Sequence, residues 1–128
     1  MAGPRLGDLQ LAILDVVWAK GEATVADVHG ALLRERGLAT TTIATMLRKM
    51  EERGLVASRR DGRVLVYRAR VERDEVNRSM VGDLLSRLFD GDPKALVHHL
   101  IDEGELDVDA LDELRKRIAK KKGGNDGR

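Results

Sequence analysis

The spacing of apolar residues changes once along the first half of the chain, at Gly54, and this change restricts the folds that the chain can adopt. Before Gly54, apolar residues recur every three or four positions, which is the pattern of amphipathic helices packed on a core. After Gly54 they alternate with polar residues, which is the pattern of β-strands. The sequence therefore predicts a group of helices followed directly by a small sheet.

Three helices are predicted before Gly54. They cover about residues 8–19, 25–36 and 40–53, with Asp8 and Thr24 as N-caps and Gly37 just past the end of the second. The apolar stripe of the third helix consists of Ile43, Met46, Leu47 and Met50. Because these positions share one side of a helix, the opposite side is left polar.

The sheet is predicted as a β-hairpin. Its strands are Leu55–Arg60 and Arg63–Ala69, and Asp61-Gly62 between them is a strong signal for a two-residue turn. Three helices followed by a basic hairpin is the plan of a winged helix-turn-helix domain, in which the third helix enters the DNA major groove and the hairpin lies along the backbone. We therefore expect a mainly α fold with a small β-hairpin, and a winged-helix domain over residues 1–71.

The charge distribution fits such a domain. The net charge of the whole chain is only +1, but residues 40–70 carry eight basic and three acidic side chains, whereas residues 71–110 carry four basic and eleven acidic ones. Positive charge concentrated on one short segment is typical of proteins that bind polyanions.

After residue 72 the chain is predicted to be helical again, over about 73–89, 93–103 and 107–120, with a disordered tail at 122–128. About 50 residues in three helices bury too little surface to be stable alone, so we expect residues 72–121 to form an all-α dimerisation domain. The apolar residues expected at this interface are Val76, Met80, Leu84, Leu85, Leu88, Leu96, Leu100, Leu111, Leu114 and Ile118. The alternative is that these helices fold back on their own winged domain.

Several stretches resemble the penicillinase repressor (BlaI/MecI/CopY) family. They are Leu6–Gln10, Val16–Trp18, Thr24–His29, Ala39–Met50, Arg53–Val56, Asp61–Arg68, Phe89–Val97 and Leu111–Arg115, spread over residues 6–120. The resemblance implies a homodimeric transcriptional repressor that binds a dyad operator in double-stranded DNA, typically in control of β-lactam resistance or envelope-stress genes.

The resemblance also implies a route of release. In the family, a membrane sensor with a metalloprotease domain, or a protease downstream of it, triggers cleavage of the repressor. The cut falls between an Asn and a Phe, and the corresponding pair in this chain is His99 and Leu100. The copper-sensing branch uses a C-terminal cysteine motif, which is excluded because the chain has no cysteine.

The residues expected to contact DNA lie on the third helix and the hairpin. They are Thr41, Thr42, Thr45, Arg48 and Lys49 on the helix, and Arg59, Arg60 and Arg63 on the hairpin. Threonine and basic side chains can read base edges, whereas the hairpin arginines are expected to hold phosphates. Thr24 has two open roles: it caps the second helix only, or it also presents the start of that helix to a phosphate.

Other functional classes are disfavoured. No cysteine, catalytic triad, glycine-rich phosphate loop or metal-ligand spacing is present, so we expect no enzymatic activity, no cofactor and no metal site. Without a signal peptide or an apolar span, the chain is expected to be cytoplasmic, with no stable membrane association. The alternative function is a winged-helix module that binds a partner protein through the third helix without sequence-specific DNA binding.

Overall fold

The computed structural model describes residues 6–125. Its helices are α1 (Asp8–Lys20), α2 (Val25–Arg36), α3 (Thr40–Glu52), α4 (Arg73–Phe89), α5 (Pro93–Asp102) and α6 (Val108–Asn125). Its strands are β1 (Ala23–Thr24), β2 (Val56–Asp61) and β3 (Val64–Ala69). The predicted mainly α winged-helix architecture is confirmed. The short strand β1 was not predicted from the sequence.

The three strands form one antiparallel sheet in the order β1-β3-β2. Strand β1 pairs Ala23 with Tyr67, and the side chains of both residues are buried in the core. That core is shared by α1, α2, α3 and the inner side of the sheet, and its members include Leu14, Val28 and Leu47. The hairpin is therefore attached to the helices on two sides, through β1 and through the core.

The hairpin turn lies one residue further along the chain than expected. Asp61 pairs with Val64, so the two turn residues are Gly62 and Arg63, and the predicted Asp61-Gly62 turn is wrong. Gly62 has a positive φ of 63°, whereas Asp61 and Arg63 keep negative values. A turn centred on Asp61-Gly62 would require positive φ at both residues, while a glycine-first turn requires it only at the glycine, where it costs little.

The helix caps agree with the sequence except at α1. The N-cap is Gly7 rather than Asp8, because the Gln10 side chain accepts a hydrogen bond from the Gly7 amide (3.2 Å). At α2 the expected capping box is present: the Asp27 amide donates to Thr24 Oγ1 (3.0 Å) and the Thr24 amide donates to the Asp27 carboxylate (2.9 Å). Gly37 ends α2 in the left-handed conformation, as predicted.

The chain divides into two compact units after Gly82, within α4. The functional boundary expected at residue 71 stays a prediction. The first turns of α4 belong to the winged unit. Trp18 Nε1 donates to the Val71 carbonyl (3.0 Å), and the Arg73 guanidinium lies 4.6 Å from the centre of the Trp18 ring. Arg73 also forms an ion pair with Asp15 (2.9 Å). These contacts fix the start of α4 to α1.

Val76 was expected at a dimer interface, and the structure corrects this expectation. Its side chain is completely buried within a single chain, so it has no surface to offer a second copy. It lies one helical turn after Arg73, in the part of α4 that belongs to the winged unit. Val76 is therefore a core residue of that unit.

The second unit contains α5, α6 and the last part of α4. Asp92 caps α5 and Pro93 is its first residue, and Asp107 caps α6, all as predicted. The last helix continues to Asn125, and residues 126–128 of the expected disordered tail lie outside the described part. The run Ala119–Lys122 favours the helix, because its residues have high helix propensity and its lysines suit a helix C-terminus, whereas Gly123 and Gly124 are poor helix formers.

Within residues 6–125, no helix is both long and apolar enough to cross a bilayer.

Candidate nucleic-acid interface

Helix α3 is held against the core by its apolar stripe. Ile43, Leu47 and Met50 are completely or almost completely buried, and Met46 is half-buried. A second contact joins α3 to α1, because Arg53 Nη1 donates to Gln10 Oε1 (3.1 Å). With one side fixed in this way, the opposite side of α3 faces solvent at its two ends and is partly covered in the middle.

The outer face of α3 carries the predicted contact residues. Thr41, Thr42, Arg48 and Lys49 are exposed. Thr45 is half-buried, although it was expected in the middle of the exposed face. None of the four large apolar side chains of α3 is exposed. This face therefore offers mainly hydroxyl groups and cations, and its exposed acid, Glu52, lies in the last turn.

An acidic residue of α3 connects that helix to the hairpin. The Glu51 carboxylate accepts hydrogen bonds from the Ser58 amide (3.0 Å) and from the Ser58 hydroxyl (2.8 and 3.1 Å). Glu51 thereby sets the position of β2 relative to α3. This contact was not predicted from the sequence. An acidic residue in the last turn of a helix is compatible both with full exposure to solvent and with a hydrogen bond to a neighbouring strand.

The hairpin arginines do not act as one group. Arg60 and Arg63 are exposed, and Arg63 lies in the turn itself. Within residues 6–125, neither of them forms an ion pair, and the same holds for Arg48 and Lys49 on α3. Four cations of the candidate interface are therefore available to phosphates.

Arg59 differs from Arg60 and Arg63 because it forms an ion pair with an acid of the same unit, and its expected contact with DNA stays a prediction. Its Nε and Nη2 donate to the two carboxylate oxygens of Glu22 at 3.0 and 2.9 Å. The hydrogen bonds from Arg59 hold the pKa of Glu22 below its ordinary value. Glu22 precedes β1, and its role was invisible in the sequence because 37 residues separate it from Arg59.

Thr24 caps α2 through both of its polar groups. Its hydroxyl oxygen accepts a hydrogen bond from the Asp27 amide, and its own amide donates to the Asp27 carboxylate. Hydrogen bonding from Thr24 to that carboxylate, first of all from its amide, lowers the pKa of Asp27. A carboxylate therefore already occupies the start of α2, where a phosphate would have to bind. The geometry favours the capping role of the two that were open.

The candidate cleavage pair lies inside a helix. His99 and Leu100 are in the second half of α5, and the His99 ring lies 5.8 Å from that of Phe89. Among residues 6–125, no three histidine, aspartate or glutamate side chains are grouped so that they could hold a metal ion.

Comparison with known proteins identifies the family. The penicillinase repressor family model matches residues 6–120. The chain belongs to the penicillinase repressor family. It is a transcriptional repressor of the BlaI/MecI type with a winged-helix DNA-binding domain, and the family is one of regulators rather than of enzymes.

The similar proteins agree with this assignment. The transcriptional regulator BlaI of Mycobacterium tuberculosis is 35% identical over 126 residues, which cover 97% of this chain and 90% of that protein. The penicillinase repressor of Bacillus licheniformis is 22% identical over 111 residues, covering 87% of each chain. The solution structure of the DNA-binding domain of the repressor BlaI matches with a TM-score of 0.52 and 25% identity, over 59% of this chain and 93% of that domain.

Proposed function

We propose that the chain represses transcription as a homodimer bound to a dyad operator. In each half-site, α3 lies in the major groove and the hairpin lies along the phosphate backbone. The observation that carries this proposal is the outer face of α3. It combines exposed threonines with Arg48 and Lys49, which have no ion-pair partner among the described residues, and it bears no exposed large apolar side chain. Hydroxyl groups and cations are the groups that read base edges and neutralise phosphates.

The hairpin supplies the backbone contact. Arg60 and Arg63 extend from the sheet without ion-pair partners among the described residues, and Glu51 keeps the hairpin in a fixed position relative to α3. Phosphate contacts of this kind add affinity and orientation but little sequence information. We therefore assign sequence reading to α3, whose Arg48 and Lys49 also neutralise phosphates, and backbone contact alone to the hairpin.

The second unit supports the homodimer. None of residues 83–123 is buried, although this segment is rich in apolar side chains. The exposed large ones are Leu84, Leu88, Val97, Ile101, Val108, Leu114 and Ile118. Because complete burial of one such side chain stabilises a protein by about 1.5–3 kcal/mol, covering several of them with a second copy is a strong driving force. The half-buried Met80, Leu85, Leu96, Leu100 and Leu111 complete the proposed interface.

Release from DNA is proposed to follow an upstream stress or β-lactam signal, through a membrane sensor or a protease that acts after it. Cleavage between His99 and Leu100 would require α5 to open, because this peptide bond lies within the helix. A fragment that ends at His99, detected by mass spectrometry in induced cells, would support this route. An intact chain in cells where repression has been lost would contradict it.

The alternative function, a module that binds a partner protein through α3, requires exposed apolar residues on that helix. The structure places none of the large ones there. A gel shift with bulk duplex DNA separates the two functions, because DNA binding weakens steeply as salt increases. No shift at low salt would favour the protein-binding module.

The operator is to be found by incubating the purified protein with fragmented genomic DNA and sequencing the bound fragments. We expect enrichment of sites with two-fold symmetry. Sedimentation equilibrium at tens of micromolar should show a dimer for the wild type and a monomer for Leu84→Asp/Leu88→Asp, since the substitutions would bury unpaired charges. A monomeric wild type, or bound sites without symmetry, would contradict the proposal.

A further inference from the structure

Arg59 and Arg60 are adjacent in β2 but have different environments, because only Arg59 is paired with Glu22. Successive side chains of a strand point to opposite sides of the sheet, so Arg59 and Arg60 lie on opposite faces of β2. Arg60 is on the side of Ser58, which faces α3, and has no ion-pair partner among the described residues. Arg59 is on the outer side, where its Nε and Nη2 groups both donate to the Glu22 carboxylate.

The pair spans the central strand. Val66 of β3 lies between Arg59 of β2 and Thr24 of β1, and Glu22 directly precedes β1. Val66 is buried although it is not part of the main core cluster. An ion pair that crosses the strand at this point limits the rotamers of Arg59, because the two parallel hydrogen bonds fix the plane of its guanidinium group.

We propose that Glu22 is a charge-masking residue, which withholds Arg59 from the phosphate backbone and so limits the electrostatic part of DNA affinity. This inference rests on the proposed role of the hairpin as the backbone contact. The wild-type protein then contacts phosphates through four cations per protomer, Arg48, Lys49, Arg60 and Arg63. Arg59 makes no phosphate contact. The Glu22 carboxylate also places a negative charge next to the hairpin, which further opposes phosphate binding.

The consequence is a change in salt dependence that has a definite sign. Each phosphate that a protein neutralises contributes about 0.9 to the slope of log affinity against log salt concentration. Loss of Glu22 frees one cation per protomer, so the slope of the dimer should become steeper by roughly two. Affinity should rise several-fold at low salt for operator and scrambled duplex alike, because a phosphate contact does not depend on sequence.

The experiment compares four variants by fluorescence anisotropy titration at several salt concentrations. Glu22→Ala should steepen the slope, and Glu105→Ala, an exposed acid of the second unit, is the control for the same change in net charge. Arg60→Ala should make the slope shallower by about two per dimer, whereas Arg59→Ala should leave it unchanged. Circular dichroism checks folding, and Glu22→Gln, which keeps a hydrogen-bond acceptor for Arg59, replaces Glu22→Ala if that variant does not fold.

The outcomes separate the inference from the proposed function. A steeper slope for Glu22→Ala, together with an unchanged slope for Arg59→Ala, supports masking. If Glu22→Ala behaves like Glu105→Ala, or if Arg59→Ala reduces the slope as much as Arg60→Ala does, the masking role is overturned while backbone binding by the hairpin stands. If Arg60→Ala does not change the slope either, the proposed role of the hairpin is wrong.

Discussion

Replacing Ser58 with alanine tests whether the contact between α3 and the hairpin matters for stability and for DNA binding. The Ser58 hydroxyl has one proton, which it shares between the two oxygens of Glu51 at 2.8 and 3.1 Å. The Ser58 amide donates to the same carboxylate at 3.0 Å and is retained in the variant. The substitution therefore removes one hydrogen bond to a charged group and changes no charge.

The expected loss of stability follows from that hydrogen bond. A bond to a charged acceptor contributes about 1.5–3 kcal/mol, and we take the lower value because both residues are only half-buried. About 1.5 kcal/mol lowers the Tm of a domain of this size by roughly 6–12 °C. Glu51→Ala should cost more, about 3 kcal/mol, because the Ser58 amide also loses its partner.

DNA affinity should fall as well, because the hairpin is no longer held in register with α3. If all of the lost 1.5 kcal/mol is needed to reorder each hairpin on DNA, the affinity for both operator and scrambled duplex falls by at most about tenfold per half-site, or about a hundredfold for the dimer. Urea unfolding and anisotropy titration measure the two effects at one protein concentration. The control is Ser86→Ala, an exposed serine of α4. If Ser58→Ala and Ser86→Ala behave alike in both assays, Glu51 does not position the hairpin.

Three further predictions concern the reading helix, the dimer and the α2 cap. Thr45→Ala should cost about 1–3 kcal/mol of operator binding and little binding to scrambled duplex in a parallel titration; equal losses would remove Thr45 from sequence reading. Val76→Ala should lower the free energy of unfolding by about 2 kcal/mol and leave the dimer intact in sedimentation, whereas Leu88→Asp should yield monomers; the reverse pattern would restore Val76 to the interface. Folding lowers the pKa of Asp27, so its contribution to stability is present above the ordinary carboxyl pKa and is lost as pH falls. In Asp27→Asn the free energy of unfolding, measured with urea, should therefore depend less on pH between about pH 5 and 2. An unchanged pH profile would contradict this.

Much of the fold follows from local sequence patterns. The predicted and observed structures differ where contacts between residues far apart in the sequence determine the conformation. The helix bounds follow from apolar spacing and caps such as Thr24 and Asp92, which act within three residues. The hairpin turn was misplaced because Asp61-Gly62 and Gly62-Arg63 both carry turn signals, and only the strand register shows which one forms. Strand β1 has two residues and no pattern of its own, so it exists only through its pairing with β3.

The residues of the candidate interface were predicted from their type and spacing. The structure additionally shows which of them form hydrogen bonds or ion pairs within the chain. Charge and exposure on α3 follow from its stripe, so Arg48 and Lys49 were correctly expected to be exposed. The pairing of Arg59 with Glu22 joins residues far apart in sequence and could not be read from either segment. Val76 was placed at the dimer interface because its helical spacing continues that of the later apolar residues, whereas its burial depends on the winged unit.

The salt dependence of operator binding tests the central claim most directly. Four unmasked cations per protomer, Arg48, Lys49, Arg60 and Arg63, give eight phosphate contacts per dimer and a slope of log affinity against log salt concentration of about −7. The measurement is an anisotropy titration of the wild-type dimer against its operator and a scrambled duplex at several salt concentrations. The account predicts a slope near −7 on both duplexes, with tighter binding to the operator at every concentration. A slope near zero, or equal affinity for the two duplexes throughout, would contradict a repressor that reads DNA through α3 and holds it through the hairpin.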